Sequence, residues 1–105
     1  MLIDDDPDFR YLLRRLLELR DFTVVGEAGE GATALHMALR LQPDAVTLDF
    51  RMPGADGDSV APELRIASPK ARIIAVSAIL DERPSWADDF AAKSDMDEVA
   101  DLLAS

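Results

Sequence analysis

Residues 43–57 have the sequence PDAVTLDFRMPGADG, and this stretch decides the fold. Its apolar run, residues 45–48, is short, contains β-branched residues and shows no polar alternation, which is typical of a strand buried on both faces of a parallel sheet. Asp49 ends the run, and a turn-forming segment with Pro53, Gly54 and Gly57 follows it. The stretch therefore predicts a buried strand that brings a carboxylate to the edge of a sheet.

On both sides of this stretch, strand patterns alternate with helix patterns. Strands are predicted at residues 1–3, 22–25, 45–48, 73–76 and 89–92. Helices are predicted from the Asp6 cap and Pro7 onward, over residues 34–41, after a cap at Asp58 with Pro62 in the first turn, and behind Ser94 and Asp95. Alternation with short connections predicts a doubly wound α/β domain with a parallel sheet.

Composition excludes several classes of protein. The 105 residues are 49% hydrophobic and suffice for one domain, residues 1–105. No apolar stretch reaches the ~20 residues of a membrane helix, so a cytoplasmic protein without membrane contact is expected. Cysteine is absent, which excludes disulfides and thiolate chemistry. Because 21 acidic residues face 11 basic ones, the net charge of −10 disfavours direct nucleic-acid binding and favours cations or basic partners.

Acidic residues follow two of the predicted strands. Asp4, Asp5 and Asp6 come after the first strand, and Asp49 comes after the third. Parallel strands point the same way, so these carboxylates are expected to meet at one edge of the sheet, where such folds bind ligands. Clustered carboxylates repel one another unless a cation lies between them, and Mg²⁺ suits one or two carboxylates with water and phosphate oxygens. Helix capping alone accounts for Asp6.

Two further polar groups stand at predicted strand ends. Ser77 ends the fourth strand, where its hydroxyl is placed to donate to a phosphate oxygen, and Lys93 follows the fifth. A lone ammonium facing an acidic edge is expected to pair with Asp49 or with an anion attached to it. Either residue alone is typical of ordinary surface, but four strand ends that each supply a suitable group favour a site.

Three segments together resemble the receiver domain of two-component response regulators: residues 2–7 (LIDDDP), residues 43–57 and residues 74–78 (IAVSA). The resemblance covers essentially the whole chain. It implies a flavodoxin-like, five-stranded parallel sheet in the strand order 2-1-3-4-5. Residues 26–35 look most like regulators with a helix-turn-helix output domain, so transcription regulation is implied, although these 105 residues hold no such domain.

The resemblance implies a metal-assisted phosphoacceptor site. Asp49 would accept a phosphoryl group from a sensor histidine kinase. Asp5, Asp49 and the backbone carbonyl of Arg51 would ligate Mg²⁺, with Asp4 acting through water. The chain would be no enzyme in its own right, but a phosphoacceptor domain that assists its own phosphoryl transfer and switches an output domain or protein partner.

The resemblance also implies a switch. Ser77 would hydrogen-bond the phosphoryl oxygens, Lys93 would pair with them, and Phe90 would hold the aromatic switch position three residues before the lysine.

The sequence departs from the family at two places. Only Leu2 and Ile3 separate Met1 from the acids, so either the start is truncated or the first strand is short. From Ser77 to Lys93 there are only 16 positions, about six fewer than is usual in the family, or nearly two turns at ~3.6 residues per turn. Residues 79–88, which contain Pro84 and Trp86, are therefore expected to form a loop where the fourth helix would be, with Trp86 covering the sheet. A competing alignment leaves Lys93 unrelated to the family lysine.

Three functions compete at this point. A phosphorylated switch is favoured by the acids, the hydroxyl and the lysine. A receiver-like interaction module that works without phosphorylation is favoured by the shortened fourth helix. A Mg²⁺-dependent phosphohydrolase that uses Asp49 covalently lacks a general base and a substrate cap.

Overall fold

The computed structural model describes residues 1–52 and 54–105. Pro53, part of the predicted turn-forming segment, lies outside the described residues. The strands are β1 Leu2–Ile3, β2 Glu27–Ala28, β3 Ala45–Asp49, β4 Arg51–Met52, β5 Ala55–Asp56, β6 Arg72–Ser77 and β7 Asp89–Ala92. The helices are α1 Pro7–Leu19, α2 Gly31–Leu41, α3 Gly57–Ala67 and α4 Met96–Ala104.

The main sheet has five parallel strands among the described residues, in the order β2-β1-β3-β6-β7. Strands β4 and β5 form a separate antiparallel hairpin. When only the strands of the main sheet are numbered along the chain, their order is 2-1-3-4-5. The predicted doubly wound α/β fold is therefore confirmed.

Helices cover both faces of the sheet, as the apolar character of the central strands requires. One apolar cluster joins the sheet to α2 and α3 through Ile3, Ala34, Ala38, Val46, Leu48, Val60, Leu64 and Ile73. The other joins it to α1 and α4 through Leu2, Phe9, Leu13, Leu17, Ile74, Val76, Ala91 and Val99. The carboxyl ends of β1, β3, β6 and β7 are left at one edge, where the predicted site residues lie.

Two helices begin where the sequence predicts. The Asp6 side chain accepts a hydrogen bond from the Asp8 amide at 3.0 Å, and Pro7 occupies the first turn of α1. The Asp95 side chain accepts from the Glu98 amide at 3.1 Å at the start of α4. Both caps satisfy amides that the helix itself leaves unbonded.

The predicted strand at residues 22–25 is wrong, because the second strand of the sheet is β2, Glu27–Ala28. The register pairs Leu2 with Glu27, so residues 22–25 lie ahead of the segment that pairs with β1. Phe22 and Val24 instead pack on the apolar cluster beneath α1 and α4. Their hydrophobic character serves packing rather than pairing.

The predicted start of α3 is also wrong. The helix begins at Gly57 behind Asp56 rather than after Asp58, and Pro62 lies inside it. Strand β5 ends at Asp56 and α3 begins at the next residue, so no loop separates them. The Gly57 amide donates to the Phe50 carbonyl at 2.7 Å. Asp58 is therefore in the first turn, where it accepts a hydrogen bond from the indole of Trp86.

Residues 78–88 form no helix, as expected from their length and from Pro84. Trp86 packs against the cluster beneath α2 and α3. It therefore covers the face of the sheet where the resemblance to the family places a helix between β6 and β7. Arg65 of α3 fixes the same segment, because its guanidinium donates to the Trp86 carbonyl at 2.8 Å and lies 3.2 Å from the Asp88 carboxylate.

Candidate functional site

The turn after β1 brings two acids to the edge of the sheet. Asp4 is buried, with 3% of its surface exposed, while Asp5 is exposed. The Asp6 amide donates to Asp4 Oδ1 at 2.9 Å, and Asp6 itself caps α1. Asp4 and Asp5 are therefore the only residues between the end of β1 at Ile3 and the helix cap at Asp6, and this short segment keeps them adjacent.

Asp49 stands at the end of β3 and is 7% exposed. Carboxylate oxygens of Asp4, Asp5 and Asp49 lie within 4.8 Å of one another. Three carboxylates this close repel one another, and oxygen ligands in this arrangement suit a hard divalent cation. The predicted convergence of these strand ends is present.

The electrostatics at Asp49 follow from this crowding. Burial raises the pKa of Asp49 from 3.8 to about 6, and the charge of Asp4 adds to the rise. The Lys93 ammonium opposes it, and a backbone hydrogen bond involving Arg51 does so more weakly. Above pH 6 the Asp49 carboxylate is therefore ionised, at a cost to the folded state.

Lys93 follows β7 and extends over the same edge. Its Nζ lies 2.8 Å from Asp4 Oδ2, 3.0 Å from Asp4 Oδ1 and 3.7 Å from Asp49 Oδ2. It also lies 4.7 Å from the centre of the Phe9 ring. Burial lowers the pKa of Lys93, but the hydrogen bond to Asp4 and the charges of Asp4 and Asp49 outweigh burial, and the pKa is raised. The ammonium thus pairs first with Asp4 rather than with Asp49, and its position does not support the competing alignment.

The other predicted site residues lie on neighbouring elements. Ser77 is buried at the end of β6, and its Oγ accepts hydrogen bonds from the Ile79 and Leu80 amides at 3.1 and 3.2 Å. Among the described residues, the Ser77 hydroxyl donates to no acceptor. Arg51 begins β4 with an exposed side chain, and Phe90 is half-buried in β7, opposite Ala75.

A family model described as the response regulator receiver domain matches residues 1–96. The chain belongs to this family. The receiver domain is 40% identical over 78 residues to the nitrate/nitrite response regulator protein NarL of Escherichia coli, covering 73% of this chain and 36% of that protein. It is 39% identical over 84 residues to a protein-glutamate methylesterase/protein-glutamine glutaminase of Myxococcus xanthus, covering 79% of this chain and 23% of that protein.

Among solved structures, the receiver domain is similar to the response regulator protein TrrA of Thermotoga maritima, determined in complex with Mg²⁺ and BeF. The TM-score is 0.87 at 31% identity, and the match covers 98% of this chain and 93% of that chain. The chain spans about a quarter to about a third of the length of the two curated relatives. Across the described residues, none of the helices is both long and apolar enough to span a bilayer.

The donor set of this receiver domain fits Mg²⁺. The three clustered carboxylates supply hard oxygen ligands. Within the described part of the chain, Asp4 Oδ2 is a buried oxygen without a well-aligned hydrogen bond, although Lys93 Nζ lies 2.8 Å away. Such an oxygen is available to a metal-bound water.

Sequence reasoning missed Arg10. Its guanidinium donates from Nη1 to the Asp4 backbone carbonyl and from Nε to Glu27 Oε1 at 3.3 Å. The sequence does show that Arg10 and Arg14 are four positions apart, which places them on one face of α1. In the structure both arginines bond to Glu27. Nothing in the sequence connects that pair to the Asp4 carbonyl.

Proposed function

We propose that Asp49 accepts a phosphoryl group and that this receiver domain works as a phosphorylated switch in two-component signalling. One observation carries the proposal: a buried carboxylate at the end of β3 lies among two further carboxylates and 3.7 Å from the Lys93 ammonium. Phosphoryl transfer needs an in-line nucleophile and positive charge around the transferred group. The edge of the sheet supplies the nucleophile and one cation, and its acids supply the ligands for a second cation.

In the proposed step, an Asp49 carboxylate oxygen attacks phosphorus while the bond from phosphorus to the donor's imidazole nitrogen breaks. An acyl phosphate forms on Asp49, and the imidazole leaves with its electron pair and takes a proton from water. Asp49 needs no general base, because above pH 6 it is already ionised.

The proposed ligands of Mg²⁺ are Asp5, Asp49 and the Arg51 carbonyl, with Asp4 acting through water. When bound, Mg²⁺ neutralises charge on the phosphoryl oxygens. Asp4 has a second task, because it holds the Lys93 ammonium beside Asp49.

The proposed switch uses groups on β6 and β7. The Ser77 hydroxyl donates to a phosphoryl oxygen and already binds the amides of the loop that follows. Movement of Ser77 toward the phosphoryl group would therefore move residues 79 and 80. Phe90, half-buried in the edge strand, is the proposed aromatic partner of that movement.

The proposed donor is a phosphohistidine on a sensor histidine kinase, or a small acyl phosphate. The proposed recipient of the signal is an output domain or a protein partner, in the cytoplasm. The net charge of −10 opposes direct binding of nucleic acid by this chain. The chain is proposed to act as a single domain, residues 1–105, without catalysing a reaction on a separate substrate.

Intact mass after incubation with Mg²⁺ and acetyl phosphate tests the phosphoacceptor. We expect wild type to gain one phosphoryl group and Asp49→Asn to gain none, with Asp5→Ala impaired because a proposed Mg²⁺ ligand is removed. Asp81→Asn, which removes a charge from an exposed loop position, serves as the matched control and should be modified like wild type. A phosphoryl group on an aspartate of Asp49→Asn would refute the assignment.

The second candidate is an interaction module that works without phosphorylation. It is favoured by the absence of a helix across residues 78–88, since the family resemblance places an output surface there. Wild-type protein that stays unmodified with Mg²⁺ and acetyl phosphate would favour this candidate.

A further inference from the structure

We propose that Arg10 is a positioning residue for the proposed Mg²⁺ site, because it fixes the backbone between Asp4 and Asp5. The inference rests on the proposed function, since it concerns the acids assigned to the metal. Arg10 lies on α1, outside the group of residues proposed to hold the metal.

The backbone of Asp4 is held on both sides of its Cα. Its amide donates to the Ala28 carbonyl at 3.0 Å, and its carbonyl accepts from Arg10 Nη1. That carbonyl belongs to the same planar peptide group as the Asp5 amide. Fixing the carbonyl therefore fixes the direction in which the chain enters Asp5.

Asp5 depends on this restraint more than its neighbours do. Its side chain is exposed, and no hydrogen bond within the described residues holds its carboxylate. Asp4, by contrast, is bonded to the Asp6 amide and to Lys93. The backbone therefore sets the direction of the Asp5 Cα–Cβ bond, and with it the region that the carboxylate can reach.

Arg10 is itself held in place. Its Nε donates to Glu27 Oε1 at 3.3 Å, and the two side chains are 20% and 24% exposed. Gly29 leaves the space that the guanidinium occupies, because a Cβ at this position would lie 3.1 Å from Arg10 Nη1 and 3.8 Å from the Asp4 carbonyl oxygen. The guanidinium is therefore fixed between β2 and the turn that contains Asp4 and Asp5.

Charge and positioning predict opposite effects of Arg10. A guanidinium near three carboxylates repels an incoming cation, so electrostatics alone predicts tighter Mg²⁺ binding when Arg10 is removed. Loss of the backbone restraint predicts weaker binding, because the ligands are no longer preorganised. The sign of the change separates the two roles.

The experiment compares Arg10→Ala with Arg14→Ala, with Mg²⁺ alone as the titrant in calorimetry. Arg14 is a matched control because it lies on the same helix, carries the same charge and bonds to Glu27 at 2.7 Å, whereas no hydrogen bond joins it to Asp4 among the described residues. We expect Arg10→Ala to weaken Mg²⁺ binding about tenfold and to slow phosphorylation by acetyl phosphate. Arg14→Ala should bind Mg²⁺ as tightly as wild type or slightly more tightly.

Gly29→Ala provides a second test that keeps every charge. Its Cβ would lie 3.1 Å from Arg10 Nη1, so the guanidinium must shift by a few tenths of an ångström, and Mg²⁺ binding should weaken less than in Arg10→Ala although no hydrogen-bonding group is lost. If Arg10→Ala fails to fold, the Mg²⁺ affinity of Gly29→Ala tests the inference instead, and an affinity equal to that of wild type would overturn it.

Equal Mg²⁺ affinity in Arg10→Ala and Arg14→Ala, or tighter binding in Arg10→Ala, would overturn the inference, as would wild type that binds no Mg²⁺. Wild type that binds Mg²⁺ but takes up no phosphoryl group would refute the proposed function alone, and the affinities would still decide the role of Arg10.

Discussion

Replacing Asp49 by Asn removes a carboxylate whose ionisation destabilises the metal-free fold. Asn has nearly the same size and remains polar, so the main change is the loss of a buried negative charge beside Asp4 and Asp5. We expect Asp49→Asn to be more stable than wild type near pH 8, and we expect this advantage to shrink as the pH falls.

The magnitude follows from the pKa of Asp49, which is raised from 3.8 to about 6 in the folded protein. A raised carboxyl pKa means that the folded state holds its proton more tightly than the unfolded state does. The contribution of Asp49 to the free energy of unfolding is therefore fully present below pH 3.8 and is lost as the pH rises through about 6. The interval is about two pKa units, each equivalent to ~1.36 kcal/mol, so ionised Asp49 costs the fold ~3 kcal/mol above pH 6.

Urea denaturation of both proteins without divalent cations, at pH 4.5 and pH 8, measures the effect. The free energy of unfolding of Asp49→Asn minus that of wild type should be larger at pH 8 than at pH 4.5 by ~2 kcal/mol, because pH 4.5 lies about 1.5 units below the folded-state pKa of Asp49. The control Asp81→Asn should change stability by no more than ~0.5 kcal/mol, as is usual for surface substitutions. Mg²⁺ should narrow the gap by stabilising wild type preferentially. A difference at pH 8 no larger than that at pH 4.5 would refute the reasoning.

Three further predictions concern Lys93, the contact between Gly57 and Trp86, and the segment that joins β6 to β7. Lys93→Ala should lower the free energy of unfolding by ~2 kcal/mol, because the buried Asp4 carboxylate loses its charged partner 2.8 Å away, and should slow phosphorylation; unchanged stability in urea would contradict this. Gly57→Ala should cost ~1–3 kcal/mol, because its Cβ would lie 2.6 Å from Trp86 Cζ2. That cost should fall in a Trp86→Ala background, and an equal cost in both backgrounds would show that the two residues do not interact. With Mg²⁺ and beryllofluoride, light scattering and amide exchange should reveal no dimer protected across residues 79–92, since residues 78–88 form no helix; such a dimer would contradict the description of this segment.

The convergence of the acids could be predicted because it depends on few facts. Each acid follows a short apolar run, and parallel strands with right-handed crossovers place such ends at one edge. The register Leu2 with Thr47 and Asp49 with Val76 then aligns those ends. Local pattern and topology together therefore sufficed for Asp4, Asp5 and Asp49.

The pairing of Lys93 was predicted only in part. Sequence reasoning directed the ammonium to Asp49, whereas its shortest contacts are to Asp4. Both acids stand at the same edge, and the choice between them depends on differences of about one ångström that no spacing along the chain encodes. The hydrogen bond from Trp86 to Asp58 was missed for the same reason, since it joins segments 28 positions apart along the chain. The bond from Arg10 to the Asp4 carbonyl spans only six positions, but it depends on the orientation of a long side chain, which residue spacing does not encode.

The short connection between β6 and β7 leaves the site in place because the sheet, not the connection, positions Lys93. Ser77 pairs with Ala92 in the register, and the Lys93 amide donates to the Ser77 carbonyl at 3.0 Å. These bonds fix Lys93 relative to β6 whatever the length of chain between the strands. The spacing of 16 positions from Ser77 to Lys93 therefore alters what covers the sheet, where Trp86 packs in place of a helix, without moving the ammonium from the acids. This receiver domain therefore assembles its acidic site although residues 78–88 form no helix.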